Sequence, residues 1–363
     1  MTATVPDQGT NVLAAPAPAP APRGSAPHGS APHGGAPNGT APRAAVPAKA
    51  KQKPDPRYLA LRNFALSISV FNIFGYTLLG FEQPWLWPFI AIATGYTTEL
   101  VFECISAWAQ RRAPRFRGRG ARGLYEFLLP AHITAIAVNM LLYANNQILP
   151  IVFGVFVGVA AKHVLQAPIA GRMRHFMNPS NFGISVCLLC FGNWLSIAPP
   201  YEFTENANTF FRVMIPVVII TAGTVLNALL TKKTPLIVGW LGAFAIQAFV
   251  RHGIWHVALF SALGPMTGVA FILFTNYMIT DPGTTPFKGR AQFVFGSSVA
   301  FVYAVLMQFN VVYTLFFATS AVCLLRGLGW WGAHGVKRLR ERRAATAAPS
   351  TSAPTQEPGV VTV

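Results

Sequence analysis

The stretch Phe210–Leu230 is FFRVMIPVVIITAGTVLNALL, and it decides the fold class because about 20 apolar residues in a row match the hydrocarbon thickness of a bilayer. Comparable runs recur along the 363-residue chain, which is 53% hydrophobic and only 11% charged. A soluble domain carries about 25% charged residues to cover its surface. The sequence therefore predicts an all-α, polytopic transmembrane helical bundle.

We predict about ten membrane-spanning helices within a transmembrane domain at residues 57–331. Residues 1–56, rich in Pro, Ala and Gly, predict a disordered cytoplasmic tail, and residues 332–363 predict a basic, disordered cytoplasmic tail. The ten apolar segments are Ala60–Gly80, Trp85–Trp108, Leu124–Tyr143, Ile148–Leu165, Phe182–Ala198, Phe210–Leu230, Thr234–Val250, Ile254–Thr280, Gln292–Phe309 and Val311–Leu328.

The basic residues predict the orientation of the chain. If the N-terminus is cytoplasmic, all but two of the 28 Lys and Arg residues fall on the inner side, the exceptions being Arg212 and Arg251. Positive charge beside membrane-spanning helices faces the cytoplasm. We therefore predict a multi-pass protein of a cell (inner or plasma) membrane with both termini cytoplasmic. The net charge of +17 then reflects orientation in the lipid bilayer, and we predict no nucleic-acid partner.

Two inner connections differ from ordinary polar loops. The first is His175-Phe-Met-Asn-Pro-Ser-Asn-Phe-Gly183, and the second is Thr280-Asp-Pro-Gly-Thr-Thr-Pro-Phe-Lys-Gly-Arg290. Proline disfavours the α region in the residue before it, so Asn-Pro and Asp-Pro predict turns at a helix start. Hydroxyl, amide and backbone N–H groups at such a start suit an anion such as a phosphate. The alternative is that Asn178 and Asp281 only cap the next helix.

Together with Lys162-His163, these stretches resemble the NqrB/RnfD-like membrane family, which contains subunits of the sodium-translocating NADH:quinone reductase and of the Rnf complex. Members carry K-H…N-P…G and then T-D-P…T…K-G-R…F-G, which here ends in Lys288-Gly-Arg-Ala-Gln-Phe-Val-Phe-Gly296. The resemblance implies a ten-helix fold that binds FMN and passes electrons within a membrane redox complex. A branch of this family occurs in enediyne antibiotic gene clusters, and the Pro/Ala-rich, arginine-heavy tails resemble that branch.

The resemblance also implies a cofactor site built from both connections, in which Lys288 and Arg290 face the negative charge of the ligand. Its residues are Asn178, Pro179, Ser180, Asn181, Asp281, Thr284, Thr285, Lys288 and Arg290. Those redox subunits attach FMN covalently through an S-G-A-T motif, which this sequence lacks. The sequence thus favours non-covalent over covalent FMN, with another phosphorylated or a quinone-like ligand left open. Catalytic residues stay unassigned, since such a chain is at most a redox subunit that needs redox or biosynthetic partner proteins.

Ionisable residues within the predicted helices form a second candidate group. Glu99 and Glu103 are four residues apart and share a helix face. Glu126 begins the third helix, and His163 ends the fourth beside Lys162. Because a charge at the centre of a span costs about 2.5–3.5 kcal/mol, such residues are functional candidates. We predict a proton or cation path through Glu99, Glu103, Glu126 and His163, the alternative being a structural ion-pair cluster.

The remaining motifs leave two other functions open. The four cysteines lie in apolar runs, and the single pair Cys187-x-x-Cys190 cannot complete a four-ligand site, so we predict no metal. The common hydrolase and nucleotide-binding motifs do not occur. Pro130 and Pro265 interrupt predicted helices, as is typical of transporters. The alternatives to electron transfer are a transporter or exporter of a small molecule or ion, and a non-catalytic membrane anchor for biosynthetic enzymes.

Overall fold

A computed structural model describes residues 56–347, except residue 170, residues 200–202 and residues 204–205. Within these ranges the chain forms eleven α-helices and four short strands, which confirms the all-α bundle. The predicted tail at residues 1–56 lies outside the described residues except for Pro56, which begins the first helix, and so does the last part of the second tail, residues 348–363.

The elements have the following bounds. The helices are α1 (Pro56–Phe74), α2 (Trp87–Ala109), α3 (Gly120–Leu141), α4 (Ile148–Val164), α5 (Pro179–Phe191), α6 (Thr209–Val225), α7 (Thr234–Trp255), α8 (Leu259–Leu263), α9 (Val269–Leu273), α10 (Gly289–Gln308) and α11 (Thr314–Ala347). Wider π-helical turns continue α1, α6 and α9 through Gly75–Leu79, Leu226–Leu230 and Phe274–Met278, respectively. The strands are β1 (Leu142–Tyr143), β2 (Gln166–Ile169), β3 (Arg172–His175) and β4 (Ser196–Ile197).

The helix lengths make this chain a multi-pass membrane protein. Seven of the described helices are long and apolar enough to cross a membrane, and the number rises to eight if the bent pair α8–α9 is one span. That pair bends by 63° around a short turn that contains Pro265, so the eighth predicted segment is broken. Each of the ten predicted segments contains a helix, but the third and fifth end in the strands β1 and β4, and the fourth and fifth form helices of only 17 and 13 residues.

The short helices α4 and α5 nevertheless run between opposite ends of the bundle. Strand β1 just before α4 pairs with β4 just after α5, whereas the β2–β3 hairpin connects the two helices. Helix α4 therefore runs from the β1–β4 end to the β2–β3 end, and α5 returns. Glycines bring the two backbones close together, since a Cβ on Gly183 would overlap the carbonyl oxygen of Gly154.

The largest core cluster extends from α2 to α11 and includes the contact between α7 and α10. Trp240 is fully buried and packs its ring against Phe244, Phe271 and Tyr303. Its indole N–H donates a hydrogen bond of 3.0 Å to Thr275 Oγ1, so the polar edge of the ring is satisfied inside the bundle.

Helix α11 differs from the prediction at its C-terminal end. The sequence predicts disorder from residue 332, but residues 332–347 continue α11, which is 34 residues long. Alanine, arginine, leucine and lysine dominate this stretch and have high helix propensity. At 1.5 Å per residue the helix is about 50 Å long, which exceeds the hydrocarbon core of about 30 Å. The basic end of α11 therefore extends beyond the hydrocarbon core.

Candidate functional site

The Asp-Pro connection is folded by the side chain of its own aspartate. Asp281 accepts a hydrogen bond from the Gly283 N–H (3.2 Å) at Oδ1 and from the Thr284 hydroxyl (2.8 Å) at Oδ2. The Thr285 hydroxyl donates to the Asp281 carbonyl oxygen at 2.6 Å. Both threonines are buried, so their hydroxyl protons serve the loop rather than a ligand.

The Asn-Pro connection caps α5 and is tied to the segment before Asp281. Asn178 Oδ1 accepts from the Asn181 N–H at 3.1 Å, which is the N-cap that the sequence left as the alternative. Its Nδ2 donates to the Met278 carbonyl oxygen at 2.8 Å, which brings the two connections together. Asn181 turns away toward α11, where its Nδ2 donates to the Phe316 carbonyl oxygen and the Ser320 hydroxyl. Asn178 therefore both caps α5 and joins the two connections.

A cavity of about 400 Å³ opens beside these connections, between α1, α3, α6 and the π-helical turn after α9. It follows α1 from Ala60 to Phe74, which is about 20 Å at 1.5 Å per residue. Its walls are mostly apolar, and polar side chains gather at the β2–β3 end. This volume and this distribution of polarity are typical of small-molecule sites. The polar lining residues at that end include Lys162, His175, Asn178, Ser180, Thr231, Thr280 and Asp281, and Ser67 and Thr134 lie further along the walls.

The predicted cofactor residues separate into three groups. Asn178, Pro179, Ser180 and Asp281 line the cavity. Asn181, Thr284 and Thr285 are buried but are absent from the lining. Lys288 and Arg290 are exposed and are also absent from the lining, so neither side chain contacts this cavity.

His175 has no role in the predicted cofactor site, but the structure places it at the polar end of the cavity. Its ring lies close to the backbone of Gly283, where an added Cβ would come within 2.9 Å of Nε2. Burial lowers the pKa of His175, and the charge of Asp281 opposes that shift only in part. A neutral imidazole both donates and accepts hydrogen bonds near pH 7. Its position next to the Asn-Pro motif was the signal that could have identified it.

The four residues of the predicted ion path do not form one cluster. Glu99 Oε2 lies 2.6 Å from Lys162 Nζ and 3.5 Å from His163 Nε2, so those three groups meet inside the bundle. Glu103, one turn further along α2, is enclosed by two guanidinium groups of the following loop, Arg112 and Arg115. Glu126 forms a partly exposed pair with Arg122 at 3.0 Å, apart from the others. Glu103 and Glu126 thus fit the alternative of structural ion pairs rather than an ion path.

The cysteines supply no metal centre in the described part of the chain. Cys187 is buried and Cys190 is exposed, although they lie three residues apart on α5. Among the described residues, no group of three or more His, Cys, Asp or Glu side chains is placed to hold a metal ion.

A buried lysine lies beside the Asp-Pro connection, outside the cavity. Lys233 is only 2% exposed, and its Nζ donates to the Pro286 carbonyl oxygen at 2.8 Å above the Phe287 ring. Burial lowers the pKa of Lys233 to about 8, while the charge of Asp281 opposes the shift.

The depressed pKa of Lys233 predicts a rise of stability with pH. Between pH about 8 and 10.5 the unfolded chain holds a proton that native Lys233 has lost, so the free energy of unfolding increases as pH rises. We expect the thermal midpoint in detergent to climb over this interval relative to a Lys233→Met variant. Parallel midpoint curves for the two proteins would show that Lys233 titrates alike in both states.

Two comparisons with known proteins identify no relative of this chain. A scan against protein-family models finds no match, and a search of curated proteins finds no significant one.

Proposed function

We propose that this membrane protein binds an amphipathic, quinone-like molecule in the cavity and serves membrane electron transfer, as its resemblance to the reductase subunits implies. The observation that carries the proposal is the long, mostly apolar cavity whose ionisable side chains, Lys162, His175 and Asp281, all lie at one end. A lipid-soluble ligand with a hydrocarbon chain and a small polar head has the same distribution of apolar and polar groups. The head would lie beside Lys162 and His175, whose N–H groups suit carbonyl oxygens, whereas the Ser180 hydroxyl already donates to Asn178 Oδ1 at 3.1 Å.

The flavin implied by the resemblance fits this cavity only in part. A flat, largely apolar ring system suits the walls, but the phosphate of FMN needs unpaired positive charge. The lining cation, Lys162, already pairs with Glu99 at 2.6 Å, and the Asp281 carboxylate lines the same end. An uncharged head therefore fits better than a phosphate, and we derive no step through FMN.

Electron transfer through this chain requires other proteins. In this proposal, redox chemistry at the cavity rests on the bound molecule and on an external electron donor. We propose a redox partner, or a biosynthetic enzyme if the chain serves enediyne-type secondary metabolism. The cell membrane and the cytoplasmic location of both termini belong to the same proposal and rest on the distribution of Lys and Arg.

Export of a small molecule is the second candidate, and a specific observation favours it. The bent pair α8–α9, broken by 63° at the turn containing Pro265, resembles the discontinuous helices that line transporter sites. Transport of an amphipathic molecule through the same cavity would not require an electron donor.

The ligand can be identified from the purified protein. We expect a solvent extract to contain a chromophore whose ultraviolet absorbance changes on borohydride reduction, as a quinone does. A yellow supernatant after acid precipitation would instead identify non-covalent flavin, and a yellow pellet covalent flavin.

The charge of the head group is tested by Asp281→Asn, which keeps an oxygen for the Gly283 N–H. Binding of a short-chain quinone should be nearly unchanged in this variant. A marked gain in FMN binding by Asp281→Asn, with no quinone binding by the wild type or the variant, would overturn the proposed ligand class.

A further inference from the structure

Helices α1 and α3 carry matched polar contacts at two levels of the bundle. Near the middle, Ser69 Oγ lies 2.7 Å from His132 Nε2, and seven residues further along both helices the Asn139 Nδ2 donates to the Tyr76 hydroxyl at 3.2 Å. The two helices therefore run parallel, and the two contacts are about 10 Å apart along them. None of these polar groups belongs to the candidate ligand site or lines its cavity.

The central contact extends to α2. The Tyr96 hydroxyl lies 3.0 Å from His132 Nδ1, so the imidazole is held between two hydroxyl groups, those of Ser69 and Tyr96. Such an arrangement passes a proton from one ring nitrogen to the other without moving the ring. One turn along α2 from Tyr96 lies Glu99, which contacts Lys162 and His163. Lys162 in turn lines the polar end of the cavity.

Three buried amides fill the interval toward the β1–β4 end, and each has a polar atom with no hydrogen-bond partner among the described residues. They are Asn72 Nδ2, Asn139 Oδ1 and Gln83 Oε1, in side chains 4%, 0% and 3% exposed. Asn72 lies between the levels of Ser69 and Tyr76 on the same face of α1. A bare amide atom in a membrane interior costs several kcal/mol, so such atoms are normally satisfied by water. These three atoms lie on α1, on α3 and in the segment after α1, and water that satisfied them would form a hydrated column beside the two polar contacts.

We propose that this column conducts protons through the α1–α4 part of the bundle, between Gln83 at the β1–β4 end and Glu99 beside the cavity. The order is Gln83, Asn139 with Tyr76, Asn72, then Ser69, His132 and Tyr96, and finally Glu99 with Lys162. Hydroxyl and imidazole groups relay protons together with water that the amides hold in place, whereas a cation site needs several converging oxygen ligands. The column replaces the predicted path through Glu103 and Glu126, and it does not depend on which ligand occupies the cavity.

The test is proton flux into liposomes that contain the purified full-length protein and a trapped pH-sensitive dye. A potassium diffusion potential supplies the driving force. We expect the wild-type flux to exceed that of protein-free liposomes and Asn72→Leu to lower it by at least about tenfold, the rate factor for one broken relay step of about 1.4 kcal/mol. Because Asn72 has an amide N–H without a partner among the described residues, leucine should leave the thermal midpoint unchanged or higher.

Two further variants separate conduction from folding. His132→Phe removes the relay nitrogens and should also abolish the flux. Ser298→Ala is the control for loss of a polar group outside the column, since Ser298 lies on α10 and its hydroxyl donates to the Val294 carbonyl oxygen at 2.7 Å. It should keep the wild-type flux. A wild-type flux no greater than that of empty liposomes, or a full flux in Asn72→Leu, overturns the proposal whether or not a quinone binds.

Discussion

Replacing Lys162 with methionine is expected to lower the stability of the protein by about 3–5 kcal/mol, because it leaves the Glu99 carboxylate buried without its main partner. The two side chains are only 9% and 6% exposed, and their charged atoms are 2.6 Å apart. His163 lies 3.5 Å from the same carboxylate, which is too far for a good hydrogen bond to replace the lysine. The thermal midpoint of the detergent-purified protein measures this loss.

Two other variants make the result for Lys162 specific. The double variant Lys162→Met, Glu99→Gln removes both charges and should recover most of the lost stability. Lys337→Met is the control, because the Lys337–Glu341 pair is exposed, 3.8 Å long and worth at most about 1 kcal/mol. If Lys162→Met and the double variant unfold at the same temperature, Lys162 does not stabilise a buried charge on Glu99.

Replacing Gly239 with valine should prevent α7 and α10 from packing. A Cβ at this position would overlap the Phe293 carbonyl oxygen, which belongs to backbone and cannot rotate away. Gly296 makes the reciprocal approach to the Leu236 carbonyl oxygen, so the two backbones are already in contact. Overpacking of this kind costs about 3 kcal/mol or more. We expect most of Gly239→Val to aggregate on size-exclusion chromatography.

The control for Gly239 lies one turn along the same helix. Gly242 has no heavy atom within 4 Å of an added Cβ, so Gly242→Val should remain monodisperse. The two variants have the same change in helix propensity, and only the interhelical approach differs. Equal behaviour of the two proteins would contradict the close contact between α7 and α10.

The all-α, multi-pass architecture was predictable because apolar length alone selects helices in a bilayer. The ends of the helices were harder to predict. Helix α5 stops at Phe191 although apolar residues continue beyond it, because Gly192 and the following turn lead into β4. Residues 332–347 are charged, yet they extend α11 as a helix. Local composition does not reveal whether an apolar run bends or a polar run stays helical.

The candidate site could be located from sequence but not resolved into individual roles. Both proline-containing connections meet at Asn178, whose motif is visible in the sequence. The sequence assigns Thr284 and Thr285 to a ligand, but their hydroxyls fold the loop around Asp281, a choice that depends on backbone geometry. His132 and its hydroxyl partners join three helices, and contacts 36 and 63 residues apart leave no local pattern.

Calorimetric titration of a short-chain quinone into the detergent-purified protein measures whether the cavity holds the apolar part of an amphipathic ligand. Ala222 lines the cavity wall on α6, so Ala222→Trp should fill it, while Gly242→Ala leaves it open. We expect saturable binding to the wild type and to Gly242→Ala, and no binding to Ala222→Trp. Equal binding to all three proteins, or to none of them, would contradict this expectation.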